Sequence, residues 1–410
     1  MYRYYTYDGR TLCSAAVLPY PEISALPETG EVLWVFHRPP LAGRDTFPVT
    51  DPAQLTEKEG VASLCTAPCP EDVPPALLSA IRAGRVRAVN RSHPRFEELL
   101  APLSRPEKVR VNLLALGDVG STLLLGLRLM GGDVISSIGI CDLREGVAQR
   151  WEFELNQIQL PGPYDALPPV EIVSPEQLFD GDVFLFCASR FVPDTAVKTG
   201  DVRMAQYQLN RELAALYARK AREARYRGLF CVVSDPVDPL CRAVLTESNR
   251  APGGGMDYQG LLTCQVRGFG LGVMNARAAY YARQDPRFAS FLTDGRTFGP
   301  HGEDLVVANS IDRYDDGLSR LLTERTVHAN LQMREMGFKP YVAPALSSGA
   351  LSLLLCLRGQ WHCSSTYLGG VFMGARNRVT AAGTELERLP LPRQLQDRLQ
   401  TTMDRLRAID

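Results

Sequence analysis

The sequence lacks the features that mark several large functional classes. Its longest candidate for a membrane span, residues 351–357, is far shorter than the roughly 18–20 residues that cross a membrane. The formal net charge is only −1, so bulk electrostatics favour neither nucleic acid nor an anionic membrane as a partner. The first residues show neither the basic nor the apolar region of a signal peptide. The sequence therefore predicts a protein with no nucleic-acid partner and no membrane partner.

Signatures of other kinds of catalysis are missing as well. The sequence contains no Gly-x-Ser-x-Gly, no P-loop and no His-Glu-x-x-His. Cys65 and Cys69 form one close pair, but a structural zinc needs four convergent ligands, so we predict no metal site. Several of the ten cysteines lie inside apolar runs, where cysteine behaves as a small hydrophobic residue. This usage favours a reducing, cytoplasmic location.

The length and composition are those of a globular protein with more than one domain. A chain of 410 residues, with 45% hydrophobic and 22% charged residues, can form two or three domains. Residues 1–105 differ in pattern from the rest and predict a small α+β appendage of unassigned role. Within it, residues 31–36 favour a strand, and residues 75–82 and 94–103 have helical spacing.

From residue 108 onward, apolar strand-like runs alternate with helical patterns. Strands are predicted at residues 109–115, 135–141, 183–187 and 229–233. A long amphipathic helix is predicted over residues 203–226. Such alternation predicts an α/β fold with a parallel sheet. We assign residues 106–240 to a dinucleotide-binding domain and residues 241–410 to an α+β substrate domain.

The turn after the first of these strands carries two glycines, Gly117 and Gly120, followed by an apolar helix. A tight glycine turn before a helix lets main-chain N–H groups meet a pyrophosphate. Asp142 ends the second predicted strand, where an acid can bind the hydroxyls of a ribose. The pattern predicts a dinucleotide site.

Further short segments follow in a fixed order. They are Ser-Asp-Pro-Val-Asp at residues 234–238, Gly-Phe-Gly at 268–270, Asn-Ala-Arg at 275–277 and Gly-Pro-His-Gly-Glu-Asp at 299–304. With the glycine turn, this series resembles the NAD-dependent lactate/malate dehydrogenase family over roughly residues 107–410. The resemblance implies a Rossmann-type parallel sheet followed by that family's α+β domain. It also implies a small-molecule substrate and assembly into a homodimer or homotetramer.

The resemblance implies NAD as cofactor. Ala115 stands at the first glycine of the family's Gly-x-Gly-x-x-Gly pattern, while Gly117 and Gly120 are kept. Asp142 favours NAD over NADP, because an acid repels a 2′-phosphate, although Arg144 nearby works against this preference. The cofactor contacts implied by the resemblance are Ala115, Gly117, Val119, Gly120, Asp142, Ala188 and Asn210.

The resemblance also implies three catalytic or substrate-binding side chains. His301 matches the general acid/base that exchanges a proton with the substrate hydroxyl or carbonyl. Arg277 matches the arginine that clamps the substrate carboxylate, for which a planar guanidinium is well suited. Arg203 matches the arginine of the mobile loop, which polarises the carbonyl.

Several positions depart from the family pattern. Met274 replaces the acid that orients the histidine, and a thioether cannot accept the imidazole proton in that way. Asp235 replaces a neutral amide. Val197 or Lys198 falls at the position that selects lactate or malate in the family. Lys339 falls near the position where the family has a substrate-binding threonine. The series therefore predicts an oxidoreductase for a 2-hydroxy/2-oxo compound other than ordinary lactate or malate.

Three alternatives stay open from the sequence. The first is an active enzyme in which Asp235 takes over the orientation of His301. The second is a catalytically impaired NAD-binding sensor, which the changes at Met274 and Asp235 favour. The third makes residues 1–105 an interaction module that joins the dehydrogenase-like body to a partner.

Overall fold

The N-terminal region forms a six-stranded sheet of its own. The computed structural model describes the main chain of residues 2–190 and 200–409 and the side chains of these residues except 200–206. The strands are β1 (Arg3–Tyr7), β2 (Arg10–Ser14), β3 (Glu22–Ile23), β4 (Val32–Phe36), β5 (Thr46–Pro48) and β6 (Val86–Asn90). Their order is β3-β1-β2-β4-β6-β5, with β2, β4 and β6 parallel.

Two helices accompany this sheet, α1 (Pro75–Arg82) and α2 (Phe96–Leu99). Pro75 begins α1 at the first helical position, where its missing N–H costs no hydrogen bond. The predicted strand at residues 31–36 and helix at 75–82 are confirmed. The helical pattern at residues 94–103 gives only the single turn of α2, so its extent was overestimated.

Buried polar contacts join the N-terminal region to the rest of the chain. The Thr263 hydroxyl donates to Asp45 Oδ2 at 2.9 Å, and Arg388 forms ion pairs with Asp51 and Glu57 at 3.1 and 2.9 Å. Asp45 is buried and the Arg388 side chain is only 6% exposed, so these contacts are largely shielded from water. The appendage is therefore packed onto the body of the molecule.

Six parallel strands form one side of a central nine-stranded sheet. They are β7 (Val109–Leu114), β8 (Ile135–Cys141), β9 (Val170–Ile172), β10 (Val183–Phe186), β11 (Leu229–Val232) and β12 (Val266–Gly268). Their order, β9-β8-β7-β10-β11-β12, is the doubly wound order of dinucleotide-binding domains. The four predicted strands are confirmed. The sequence did not reveal β9 and β12, which have three residues each.

Helices cover both faces of these strands, whose side chains are almost all buried. The crossover helices are α3 (Asp118–Met130), α4 (Val147–Asn156), α5 (Gly200–Glu223) and α6 (Val237–Ser248). The long helix predicted at residues 203–226 is therefore present as α5. The predicted domain boundary at residue 240 falls inside α6, and the sixth parallel strand comes after it.

The remaining residues complete the sheet and form an α+β layer. The elements are α7 (Leu271–Gln284), α8 (Phe291–Asp294), β13 (Arg296–Phe298), β14 (Val306–Ala308), α9 (Asp316–Glu335), the π-helical segment Pro344–Leu351, α10 (Ser352–Leu357), β15 (His362–Leu368), β16 (Val371–Thr380), β17 (Gly383–Leu386) and α11 (Arg393–Ala408). β15 pairs antiparallel with β12, and β16 and β17 extend the sheet. Within the described part of the chain, no helix combines the length and apolar character of a membrane span.

Candidate functional site

The turn between β7 and α3 begins at Ala115, whose main chain is left-handed, with φ 76°. A residue with a Cβ adopts this conformation at a cost of roughly 1–2 kcal/mol. This explains why the family pattern has glycine at this point. Ala115 keeps the shape of the turn with the smallest side chain that is not hydrogen.

The two retained glycines have different surroundings. Gly117 is the N-cap of α3, and a Cβ placed on it would meet no atom within 4 Å. A Cβ on Gly120 would lie 2.0 Å from the Ala115 carbonyl oxygen. Gly117 therefore leaves open space before the helix N-terminus, where an anion is favoured. Gly120 lets α3 pack on β7, with the half-buried Val119 beside it.

Asp142 follows β8 and is already engaged. Its carboxylate accepts the Leu116 N–H at 2.7 Å and the Arg144 Nε–H at 2.9 Å. The Asp142 side chain is 5% exposed, whereas that of Arg144 is 61% exposed. Burial alone would raise the pKa of Asp142, but the hydrogen bonds from Arg144 and Leu116 outweigh it and lower the pKa. A ribose would have to share this carboxylate with Arg144.

A cleft of about 230 Å³ adjoins this pair, with Leu143, Ile172 and Pro175 among its lining residues. It lies at the carboxyl ends of β8 and β9. In open α/β sheets, ligands bind outside this edge of the strands. The cleft therefore lies on the edge of the sheet where a ligand is expected, next to Asp142.

Asn210 in α5 connects two loops at the same edge. It is fully buried, accepts the Arg190 N–H at 2.9 Å and donates to the Asp235 carbonyl at 2.8 Å. Ala188, half-buried after β10, lies in the loop that Asn210 holds. The cofactor contact that the resemblance implied for Asn210 stays a prediction. Its observed contacts hold the segments after β10 and β11 together.

His301 lies between β13 and β14 and is held by a main-chain oxygen. Its Nδ1 is 3.0 Å from the Gly270 carbonyl oxygen. Since a carbonyl only accepts hydrogen bonds, Nδ1 carries the proton, and Nε2 of the neutral ring keeps its lone pair. A Cβ on Gly270 would lie 2.7 Å from His301 Cβ, so glycine at 270 is needed for this approach.

Asp238 is a site residue to which the sequence gave no role. It is buried, and it accepts the His301 main-chain N–H at 3.2 Å and the Ser365 hydroxyl at 2.6 Å. Burial raises the pKa of Asp238 to about 6, and these hydrogen bonds oppose the shift. The sequence motif at residues 234–238 ends in Asp238, so the motif itself contained a signal for this site residue.

The idea that Asp235 orients His301 is not supported. Asp235 is exposed, and across the described residues no hydrogen bond or ion pair joins it to His301. The imidazole proton goes to the Gly270 carbonyl instead, and the carboxyl group at His301 is that of Asp238. A loop pattern alone could not tell which of two acids three residues apart turns inward.

Arg277 in α7 presents a guanidinium group without a carboxylate partner among the described residues. Its Nη1 lies 3.5 Å from Met274 Sδ. Burial lowers the pKa of Arg277, while the charges of Tyr281 and Asp235 oppose this. The side chain stays protonated, so Arg277 is available to bind a substrate carboxylate. Met274 is 1% exposed within an apolar cluster.

The remaining residues that the resemblance implied for catalysis or substrate binding are Val197, Lys198, Arg203 and Lys339. Val197 and Lys198 lie outside the described residues, and Arg203 belongs to α5 with its side chain outside the description. Lys339 is exposed and pairs with Asp118, in the first turn of α3, at 3.1 Å. In the described part of the chain it has no hydrogen bond or ion pair with His301 or Arg277. The geometry thus places Lys339 near the glycine turn.

No cluster of three or more metal-ligating side chains occurs in the described residues. No protein-family model matches the chain. L-lactate dehydrogenases of Mesomycoplasma hyopneumoniae, for example from strain 232, are 24% identical over 204 residues. The match covers 49% of this chain and only 58% of these relatives.

Solved structures with the same fold cover more of the chain. A minor L-lactate dehydrogenase of Enterococcus mundtii aligns with a TM-score of 0.59 at 19% identity, over 74% of this chain and 98% of that one. Malate dehydrogenase of Plasmodium falciparum aligns with a TM-score of 0.57 at 14% identity, over 73% and 96%. The chain therefore has the fold of the lactate/malate dehydrogenases, with an additional N-terminal sheet.

Proposed function

We propose that this protein is an NAD-dependent oxidoreductase that interconverts a carboxylate-bearing 2-hydroxy compound and its 2-oxo form. The observation that carries the proposal is the state of two side chains, Arg277 in α7 and His301 in the loop between β13 and β14. Arg277 has no carboxylate partner among the described residues, and His301 is held through Nδ1, which leaves Nε2 for a substrate. One binds an anion and the other exchanges a proton.

The glycine turn fits a dinucleotide cofactor. The space in front of Gly117, at the N-terminus of α3, suits a pyrophosphate. Asp142 and the adjoining cleft suit the adenosine ribose once Arg144 moves aside or shares the carboxylate. Bound NAD would supply the acceptor or donor of the hydride.

His301 and Arg277 divide the remaining chemistry. Arg277 holds the substrate carboxylate, preferably by two parallel hydrogen bonds. In oxidation, Nε2 of His301 accepts the proton of the substrate hydroxyl. In reduction, the protonated ring returns that proton to the carbonyl oxygen. The Gly270 carbonyl keeps the ring in one orientation through both directions.

Asp235 narrows the class of substrate. Its carboxylate is exposed and close enough to Arg277 to oppose the fall in the pKa of that guanidinium. It therefore offsets part of the positive charge that a substrate anion meets. A substrate with a cationic group beside its carboxylate is favoured over pyruvate or oxaloacetate, so ordinary lactate or malate turnover is expected to be poor.

Calorimetric titration with NADH and NADPH, followed by NADH oxidation with a panel of 2-oxo acids, tests the proposal. The panel contains pyruvate, oxaloacetate and 2-oxo acids that carry an amino group. Arg277→Ala is expected to raise KM far more than it changes NADH affinity. Arg283→Ala, on the exposed end of the same helix, is the matched control. Equal kinetics of the two variants would contradict the clamp.

A second candidate is a catalytically impaired NAD-binding sensor. The buried Met274, which leaves the imidazole without a carboxylate at that position, favours it. NADH binding without turnover of any panel member would support this alternative. Turnover that His301→Ala abolishes would reject it.

Assembly and location belong to the same proposal. We expect a homodimer or homotetramer in a reducing cytoplasm. Exposed apolar side chains around α4, such as Phe153 and Tyr164, are available for contact between subunits. Light scattering of the purified chain measures the assembly, and a monomer at all concentrations would contradict it.

A further inference from the structure

The N-terminus of α7 lacks a capping side chain of its own. Its N-cap is Gly270, which makes no side-chain cap hydrogen bond. The first N–H groups of a helix need acceptors, which an N-cap serine, threonine, aspartate or asparagine usually supplies. None of these fits here, because any Cβ at 270 would lie 2.7 Å from His301 Cβ. Because His301 lies so close, residue 270 must be glycine and cannot supply a side-chain cap to α7.

Ser348 supplies the missing cap from a different element. It lies in the π-helical segment Pro344–Leu351 and is 2% exposed. Its Oγ accepts the Val273 N–H at 2.8 Å, which is the third helical position of α7. The same hydroxyl donates to the Gly270 carbonyl oxygen at 2.7 Å.

The Gly270 carbonyl therefore accepts two hydrogen bonds, one from Ser348 and one from His301 Nδ1. We propose that Ser348 is a positioning residue for His301, acting through the Gly270 carbonyl in place of the acid that Met274 replaces. The inference rests on the proposed function, since it concerns the group assigned there as acid/base.

The physical reason lies in how a carbonyl orients an imidazole. A carbonyl oxygen holds the ring only as firmly as its own peptide plane is held. Ser348 fixes that plane by bonding both the carbonyl and the N–H three residues later. Without the hydroxyl, the plane can turn, and the ring can exchange its Nδ1–H form for the Nε2–H form. The latter cannot accept the substrate proton at Nε2.

The experiment compares Ser348→Ala with Ser348→Thr, which keeps the hydroxyl, and with Ser352→Ala as matched control. Ser352 is buried one turn further on, and its hydroxyl donates to the Ser347 carbonyl at 2.7 Å. The readouts are kcat and KM on the best 2-oxo acid of the panel, NADH affinity by calorimetry and the tautomer of His301. The tautomer is read by NMR of ¹⁵N-histidine, with His301→Ala used to assign the signal.

Ser348→Ala is expected to lower kcat by about 10- to 100-fold, the range for a displaced catalytic group, and to leave NADH affinity within about twofold. Its His301 signal should move towards the Nε2–H form, while Ser348→Thr restores and Ser352→Ala keeps the native signal. If Ser348→Ala does not fold, Ser348→Cys, which weakens the hydrogen bond at similar volume, takes its place.

A native tautomer and native kcat in Ser348→Ala would overturn the proposal, as would equal losses in Ser348→Ala and Ser352→Ala. Failure of the proposed function has a different signature. In that case the wild-type protein binds no NADH or turns over no panel member, while the tautomer measurement still decides the role of Ser348.

Discussion

The two halves of the candidate site depart from the family pattern with different consequences. At the nucleotide edge, Ala115 replaces a glycine and the turn keeps its shape, with space at Gly117 and close packing at Gly120. At the catalytic edge, Met274 replaces an acid, and the histidine acquires another set of partners. The shape of the glycine turn depends on the main chain and is kept when one side chain changes, whereas the partner of an imidazole must change when the side-chain acid is lost, and here the Gly270 carbonyl takes that place.

The largest expected effect is a loss of turnover without a loss of cofactor binding, caused by a change in the catalytic half of the candidate site. His301→Ala removes the acid/base group, so kcat/KM should fall by about 10²–10⁴-fold, with NADH affinity nearly unchanged. Steady-state kinetics and calorimetry measure the two quantities. His328→Ala, which removes an exposed histidine in α9, serves as control. Unchanged turnover in His301→Ala would show that the two halves do not cooperate in a histidine-based reaction.

The next effect concerns the buried carboxyl group of the catalytic half. Burial raises the pKa of Asp238 to about 6 from the ordinary value of 3.8. The protonated group therefore stabilises the fold at low pH, and this contribution is lost as pH rises through about 6. It amounts to the order of 2–3 kcal/mol.

Asp238→Asn stays neutral, so its free energy of unfolding relative to wild type should increase between about pH 4 and pH 8. Urea denaturation at several pH values measures this difference. Ser365→Ala serves as a control, because it removes the hydroxyl that donates a hydrogen bond to Asp238 and keeps the titrating carboxyl group. A pH-independent difference between Asp238→Asn and wild type would contradict the assigned ionisation.

The two glycines of the turn sharpen the comparison within the nucleotide half. Gly120→Ala places a Cβ against the Ala115 carbonyl, and such overpacking costs about 1–3 kcal/mol. Gly117→Ala meets open space, so stability should hold while NADH affinity falls. Denaturation of both variants measures the loss of stability, and calorimetry measures the loss of NADH affinity. Equal loss of stability in both would show that the space at Gly117 is not available.

A smaller effect is expected from the ion pair at the ribose position. Arg144→Ala frees the Asp142 oxygens for ribose hydroxyls and removes a cation that could meet a 2′-phosphate. Because the Arg144 side chain of this pair is 61% exposed, the pair contributes up to about 1 kcal/mol, so the preference for NADH over NADPH should rise about fivefold. Tighter NADPH binding by wild type than NADH binding would reject the role of Asp142.

The smallest effect tests whether the turn is strained. Ala115 has a positive φ, and glycine reaches this region without the cost of a Cβ. Ala115→Gly should therefore raise the free energy of unfolding by up to about 1 kcal/mol, less than the full strain because glycine is also freer in the unfolded chain. Ala188→Gly is the control, because Ala188 follows β10 at the same edge of the sheet and does not have a positive φ. This variant should lower the free energy of unfolding.

Much of the fold could be predicted from local pattern. Apolar runs such as residues 109–115 and 183–187 indicated covered parallel strands, and helical spacing indicated α1 and α5. The strands β9 and β12 escaped prediction because three residues carry too little periodicity. The domain boundary at residue 240 stays a prediction, and β12, the strand that ends the parallel series, comes after it.

The sequence by itself determined the parallel α/β sheet and the glycine turn, because these depend on periodicity and on a motif of a few neighbouring residues. The choice of His301 and Arg277 came from the resemblance to the lactate/malate dehydrogenases. Only the tertiary structure decided what surrounds them. The Gly270 carbonyl meets His301 across 31 positions, the Asp238 carboxylate meets it across 63, and Ser348 reaches Gly270 across 78. Contacts at such separations arise from packing of the π-helical segment, α6 and α7, which no local pattern specifies.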